Sequence, residues 1–346
     1  MRRVMKVGAV LAAGALVLTA CGGSDDDSDA GASSPASDVK VGLAYDIGGR
    51  GDQSFNDSAA AGLDKAKEDF GVETKELEAG TGETDAQKEE RLRLLATGGY
   101  NPIIAVGFAY AKSVGKVAAE FPDVSFAIID DASDDSKGAN VAQLVFAENE
   151  GSFLVGTVAA QASKTGNVGF VGGVNVPLIK KFEAGFTAGA QAVNPSIKVQ
   201  VKYLTEPPDF SGFGDPAKGK TAAEGMFQQG ADVVYHAAGG SGSGVFTAAA
   251  AAKGLAIGVD SDQYLTAAAD VKDVIITSML KRVDVAVYDM IESAVDESPL
   301  TGVVTFDLAK EGVGYSLSNP AVEPYTAKTD EYATQIKDGD ITVPES

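Results

Sequence analysis

An α/β fold built as two doubly wound lobes is the fold class predicted for this chain. Three observations predict it. Short apolar strands alternate with helical patterns; most of those strands are apolar on both faces, as buried parallel strands are; and the strand–helix order occurs twice.

The elements follow in order. VKVGLAY (39–45) reads as the first strand. After a glycine-rich turn comes a helix over 59–70: Ala59, Leu63, Ala66 and Phe70 make one apolar stripe, with Asp64, Lys65, Lys67 and Glu68 between them. PIIAVG (102–107) and SFAIID (125–130) are the next strands. NVGFVGG (167–173), KVQVKYL (198–204), DVVYHAA (232–238), LAIGVD (255–260) and VIITSML (274–280) complete the set. VGLAYDIGG near 41 compares with VGFVGGVNV near 168. RLRLLATGGYNPIIAVG (91–107) compares with AAEGMFQQGADVVYHAAGG (222–240), in each case a helix, a glycine and a buried strand. The offset of roughly 125 residues suits one α/β lobe per copy. Ligands of such sheets sit beyond the carboxyl ends of the strands, so two facing lobes would enclose a cleft.

The amino terminus reads differently. Arg2, Arg3 and Lys6 precede the uncharged, mostly apolar run Val7–Ala20, too short for a comfortable membrane span and ending in Leu18-Thr19-Ala20-Cys21. Residues 1–20 are expected to be a lipoprotein signal peptide, because this ending resembles the bacterial lipobox. Cys21, the only cysteine, then becomes the lipidated first residue. Residues 21–38 have no large apolar side chain to repay the entropy of ordering and are expected to form a flexible acidic tether. The chain carries a net charge of −21, and loss of the three basic leader residues makes it more negative still. So acidic a surface argues against nucleic acid and anionic headgroups as partners, leaving the lipid on Cys21 as the membrane contact.

Catalytic motifs are weak. Gly214-Asp215-Pro216-Ala217-Lys218-Gly219-Lys220-Thr221 fits the phosphate-loop pattern, but no strand runs directly into it and its prolines suit a meandering loop. GGSGSG (239–244) misses the serine elbow by one residue. His236, the sole histidine, sits on an apolar strand and reads as a core residue, and one histidine cannot supply a zinc site. No cofactor is expected, and the chain is not expected to be an enzyme.

The polar groups that do stand out fall at strand ends. Asp46 follows the first strand, Asp130 ends SFAIID, Gly239 and Gly240 follow DVVYHAA, Asp260 ends LAIGVD, and Lys281 follows VIITSML. Carboxylates accept hydrogen bonds from hydroxyls or ring N–H groups. Glycines let backbone amides approach a ligand. Phe55 offers a flat face on which a base can stack, worth about 1–3 kcal/mol. Together they describe a neutral, flat, hydroxyl-rich ligand; so many carboxylates would repel a phosphate.

Asp46-x-Gly48-x-x-Gly51-Asp52-x-Ser54-Phe55-Asn56 resembles the signature loop of the basic membrane protein family, and IGVDSDQ (257–263), AAGGSGSGV (237–245) and KRVDVAVYDMI (281–291) resemble that family too. Its members are substrate-binding lipoproteins of ABC transporters, similar to the purine nucleoside receptor lipoproteins. The resemblance runs from about 39 to 343. It implies a type I periplasmic-binding-protein fold with three crossings between lobes, lobe 1 being 39–147 plus about 264–310 and lobe 2 being 148–263 plus about 311–346. It implies that Phe55 stacks on a base, that Asp46 and Asn56 help bind from the first lobe, and that Asp130, or Asp131 one residue on, holds the base. Asp260 and Lys281 would hold ribose hydroxyls, with a backbone contact from Gly239 or Gly240. Phe213 would close the aromatic sandwich, Phe210 being the alternative in the same stretch, with Phe182 or Phe186 lining the cleft. The implied activity is capture of a nucleoside, a purine nucleoside above all, outside the cell and its delivery to an ABC permease with separate ATPase subunits. Alternatives are a binder of sugars or autoinducers, a ligand sensor, and an extracytoplasmic hydrolase of nucleosides or glycosides.

Overall fold

A computed structural model describes residues 38–80 and 82–346. The expected leader, Cys21 and the tether through residue 37 lie outside the described residues. The first strand, β1 (Lys40–Ala44), is buried on both faces except at its start, and β2 (Glu73–Leu77), β3 (Ile103–Ala105), β4 (Phe126–Ile129) and β5 (Val141–Phe146) join it. With β11 (Gly302–Phe306) they form a six-stranded sheet in the order β11-β5-β4-β3-β1-β2, parallel throughout. The second sheet holds β6 (Asn167–Val174), β7 (Lys198–Thr205), β8 (Val233–Ala237), β9 (Leu255–Asp260), β10 (Ile275–Lys281) and β12 (Val313–Tyr315). Its order, β12-β10-β9-β8-β6-β7, repeats the first strand for strand.

Helices cover both sheets, as parallel sheets require. α1 (Phe55–Phe70), α2 (Asp85–Thr97) and α3 (Ala111–Glu120) belong to the first lobe. α4 (Glu148–Ala162), α5 (Pro177–Val193), α6 (Pro216–Gln228), α7 (Gly242–Ala252) and the short α8 (Gln263–Thr266) belong to the second. α9 (Val283–Val295) returns to pack along α1, and α10 (Glu323–Lys337) closes the second lobe against α4. Among the described residues twelve strands form the two sheets, so a fragment spanning residues 38–346 contains both sheets and the core clusters between their helices and strands.

The chain passes between lobes at Ala147, at Arg282 and through Asp307–Gly312. These crossings are tied to one another: Ala147 N–H donates to Phe306 O (3.1 Å) and Arg282 N–H to Gly312 O (2.9 Å). The expected return to lobe 1 near residue 264 is corrected. β10 pairs parallel with β9, so residues 264–281 stay in the second sheet and the crossing falls after Lys281. β12 runs antiparallel to β10 for a topological reason. Strand β11 delivers the chain to the carboxyl end of its own sheet, so the chain enters the second sheet at the cleft and must run away from it.

Candidate functional site

The loop between β1 and α1 is shaped by its own carboxylates. Asp52 accepts hydrogen bonds from the N–H groups of Ser54 (2.9 Å), Asn56 (2.9 Å) and Asp57 (3.1 Å), so it satisfies donors at the start of α1 that no helical carbonyl can reach. Asp57 accepts in turn from the N–H groups of Gly51 (2.6 Å) and Gln53 (2.9 Å). Asn56 is buried, accepts from Asp46 N–H (3.0 Å) and donates to Ile47 O (3.3 Å) and Asp52 (3.0 Å). These internal bonds occupy the amides of Asp46, Gly51, Gln53, Ser54, Asn56 and Asp57, and Phe55, the first residue of α1, faces a cavity.

That cavity lies between the lobes and holds about 560 Å³ of empty space, open solvent at its mouth included. The first lobe lines it with Asp46, Asp52, Phe55, Asn56, Phe108 and Asp130. The second contributes Phe182, Phe213, Gly239, Asp260 and Lys281, with Leu178 and Ile179 beside Phe182. Of the residues expected from sequence, nine therefore share one cavity. Gly240 is the exception: it does not line the cavity but sits against Phe213 O and Asp52, so the backbone contact, if made, belongs to Gly239. Among the alternatives, Asp131 turns away to accept from Ser133 N–H (3.1 Å) and Ser136 Oγ (2.5 Å). Phe186 is core, fully buried against Tyr235 and Phe170.

Topological twins recur around the cavity. Asp130 follows β4 directly and Asp260 ends β9, the strands that correspond in the two sheets, and both adopt positive φ (70° and 63°). Such a backbone is uncommon outside glycine and marks a site under local constraint. Gly107 and Gly239 stand two residues beyond β3 and β8 and also have positive φ (102° and 52°). At Gly107 a side chain would also collide with the Asp46 carboxylate, 2.4 Å from where a Cβ would stand.

Charge at the base of the cleft centres on Lys281, which is buried. Its Nζ lies 2.7 Å from Asp130 of the first lobe and 3.1 Å from Glu148, the first residue of α4. The rings of Phe146 (5.0 Å), Phe55 (5.3 Å) and Phe182 (5.4 Å) surround it. Burial opposes its charge, but Asp130, Glu148 and Asp260 together hold the ammonium above the usual lysine range. Burial raises Asp130 and Glu148, with Lys281 opposing. It pushes Asp260 up to about 7 and Asp46 up to about 6. Asp260 also accepts from Ser54 Oγ across the cleft (2.5 Å). One cation thus answers several carboxylates, and the charge favours a ligand that brings donors. Glu148 went unforeseen, because nothing around ENEG announces a buried acid.

The weak catalytic motifs resolve as structure. The phosphate-loop match starts α6: Asp215 caps it by accepting from Lys218 N–H (3.1 Å), and Lys220 pairs with Glu224 (2.5 Å). Ser241 of GGSGSG is buried, donating to Gly212 O (2.7 Å) and accepting from Asp215 N–H (2.7 Å). His236 is fully buried, packs on Phe246 at 5.1 Å and does not line the cavity. Among the described residues no cluster of His, Cys, Asp and Glu is arranged to hold a metal, and no helix is long and apolar enough to cross a membrane.

Comparison with known proteins bears on the whole fold. Residues 39–346 match the protein family described as ABC transporter substrate-binding protein PnrA-like. A CD4+ T-cell-stimulating antigen of Listeria innocua is 38% identical, over 97% of this chain and 96% of that protein. The ABC transporter nucleoside-binding protein BmpA of Lactococcus lactis is 35% identical, over 99% of both chains. Among solved structures, an ABC transporter solute-binding protein from Aeropyrum pernix superposes with a TM-score of 0.76 at 31% identity. That match covers 89% of this chain and 94% of the other.

Proposed function

The chain belongs to the PnrA-like family of ABC transporter substrate-binding proteins, and on that premise we propose that it captures a purine nucleoside in the interlobe cavity and hands it to a membrane permease. The family is one of binding proteins rather than enzymes, working outside the cytoplasm. The carrying observation is the make-up of one cavity between the lobes: Phe55 from one lobe and Phe213 and Phe182 from the other, with Asp46, Asp130 and Asp260 as acceptors between them. Aromatic faces on opposite walls suit a flat base. Carboxylates suit ribose hydroxyls and ring N–H groups, and the one lysine already occupied by two carboxylates leaves little to hold a phosphate. The name of the Lactococcus relative supports the nucleoside reading. In this reading Phe55 and Phe213 stack on the base, Asp130 and Asp46 take its donors, and Asp260 with Lys281 holds the ribose. Asn56 acts by fixing the loop. The permease carries separate ATPase subunits, and lipid on Cys21 holds the protein at the membrane.

Calorimetric titration with inosine, guanosine and adenosine tests the site. Phe55→Ala and Asp260→Ala should each weaken binding about fivefold or more. Unchanged dissociation constants in both would discard the site assignment.

A further inference from the structure

Phe210 and Phe108 meet across the mouth of the cleft, ring centroids 5.8 Å apart and edge to face at 66°. We propose that this pair is a closure latch, made only when the lobes meet, that sets how long a ligand stays bound. The inference rests on the reading of the cleft as a ligand site, but not on which ligand enters it.

Each ring is fixed to its own lobe. Phe108 opens the short turn between β3 and α3 of the first lobe. Phe210 sits in the 206–215 loop, which is bound tightly to the second. There Ser241 Oγ donates to Gly212 O, Asp215 N–H donates to Ser241 Oγ, and Thr205 Oγ1 donates to Asp209 O (2.6 Å). Gly212 lies flat on Gly173, where a Cβ would stand 2.0 Å from the carbonyl oxygen. The loop therefore moves with its lobe, and Phe210 reaches Phe108 only by rotation about the crossings at Ala147, Arg282 and Asp307–Gly312. Neither ring packs into a core cluster, so their contact has no part in holding either lobe together. Phe210 does not line the cavity, whereas Phe213, three residues on, does. One loop thus supplies both a ring for the ligand and a ring for the opposite lobe.

An edge-to-face pair holds the closed state by an amount equivalent to roughly a two- to tenfold change in equilibrium. In a fragment spanning residues 38–346, Phe210→Ala should release tritiated inosine, chased with unlabelled inosine, two- to tenfold faster. Association and the melting temperature without nucleoside should stay unchanged. Phe108→Leu should also speed release, and its effect should shrink in the Phe210→Ala background. Unchanged release in Phe210→Ala, or fully additive effects, would overturn the latch. A second measurement needs no nucleoside and separates failure of the latch from failure of the nucleoside reading. The double variant Phe108→Cys/Phe210→Cys, in a fragment with no other cysteine, should be bridged within one chain by dibromobimane, whose two reactive arms span the gap the rings leave. Absence of that bridge would mean the two positions do not meet in solution.

Discussion

The two sheets share one strand order, yet the loops at their carboxyl ends face the cavity with different chemistry. The first lobe brings Asp46, Asp52, Asn56 and Asp130 with two rings, Phe55 and Phe108. The second brings an apolar wall of Leu178, Ile179, Phe182 and Phe213, one acid and one lysine. Repetition of a fold therefore need not repeat a site. The strands supply equivalent positions, and the residues placed there divide the lining, polar and acidic in one lobe and mostly apolar in the other.

The largest test of that division is the residue that joins the halves. Lys281→Met leaves Asp130, Glu148 and Asp260 buried without their cation, and should cost about 3–5 kcal/mol at pH 8. Those carboxyls already have raised values, so acid relieves the loss by protonating them; urea unfolding at pH 5.5 should show a smaller difference than at pH 8.

Next come the twins. Asp130→Asn removes the 2.7 Å partner of Lys281, a loss of about 1.5–3 kcal/mol that outweighs the relief of its own buried, raised carboxyl, so the ligand-free fold should be destabilised. Asp260→Asn should do the reverse. Its carboxyl stands at about 7 in the fold, against about 4 unfolded, so the folded state loses stability as pH rises through that window. Removing the charge should therefore stabilise the ligand-free fold at pH 8 by about 2–4 kcal/mol, with no gain below pH 4. Denaturant midpoints at the two pH values decide it; equal signs for both twins would break the comparison.

The proposed stacking is shared between lobes. Phe55→Ala and Phe213→Ala should each cost about 1–3 kcal/mol of binding, read by calorimetry. A loss in one variant alone would mean that a single wall holds the base.

The smallest effect concerns His236, whose place in β8 corresponds to Ile104 in β3, counted from Ala237 and Ala105 and the glycines beyond. Burial drives its imidazole down to about 3, so it is neutral in the fold but charges near pH 6.5 when unfolded. Stability is intact above that value and falls as pH drops toward 3. His236→Ile, copying the other lobe, should recover about 2 kcal/mol at pH 5 and leave pH 8 unaffected by charge, as melting scans at both values would show.

Much of this was legible in the sequence, and the gaps have physical causes. The expected strands are mostly central ones, apolar on both faces, and the repeat pairs β1 with β6 and β3 with β8 as the topology does. Four strands were not foreseen. β2 reads ETKEL because an edge strand is wet on one side. VAQLVF of β5 is broken by Gln143, which is buried but donates to Ser133 O and Ser136 Oγ. β11 is an edge strand and β12 has only three residues. The misplaced crossing near 264 has a similar origin, since periodicity does not say which sheet a strand joins. At the site, carboxylates at strand ends were visible because a strand end is a local feature. Glu148 and the Phe108–Phe210 contact were not, because each depends on what the opposite lobe places beside it.

The central claim is that the cavity between unlike walls takes a nucleoside. Thermal melting of the 38–346 fragment, stripped of carried-over ligand by unfolding and refolding, tests it against purine nucleosides, free ribose, common sugars and ATP. A nucleoside at 100 times its dissociation constant should add about 2.7 kcal/mol and raise the melting temperature by several degrees, with ribose and ATP inert. A shift with sugars alone, or with none of these compounds, would contradict the account.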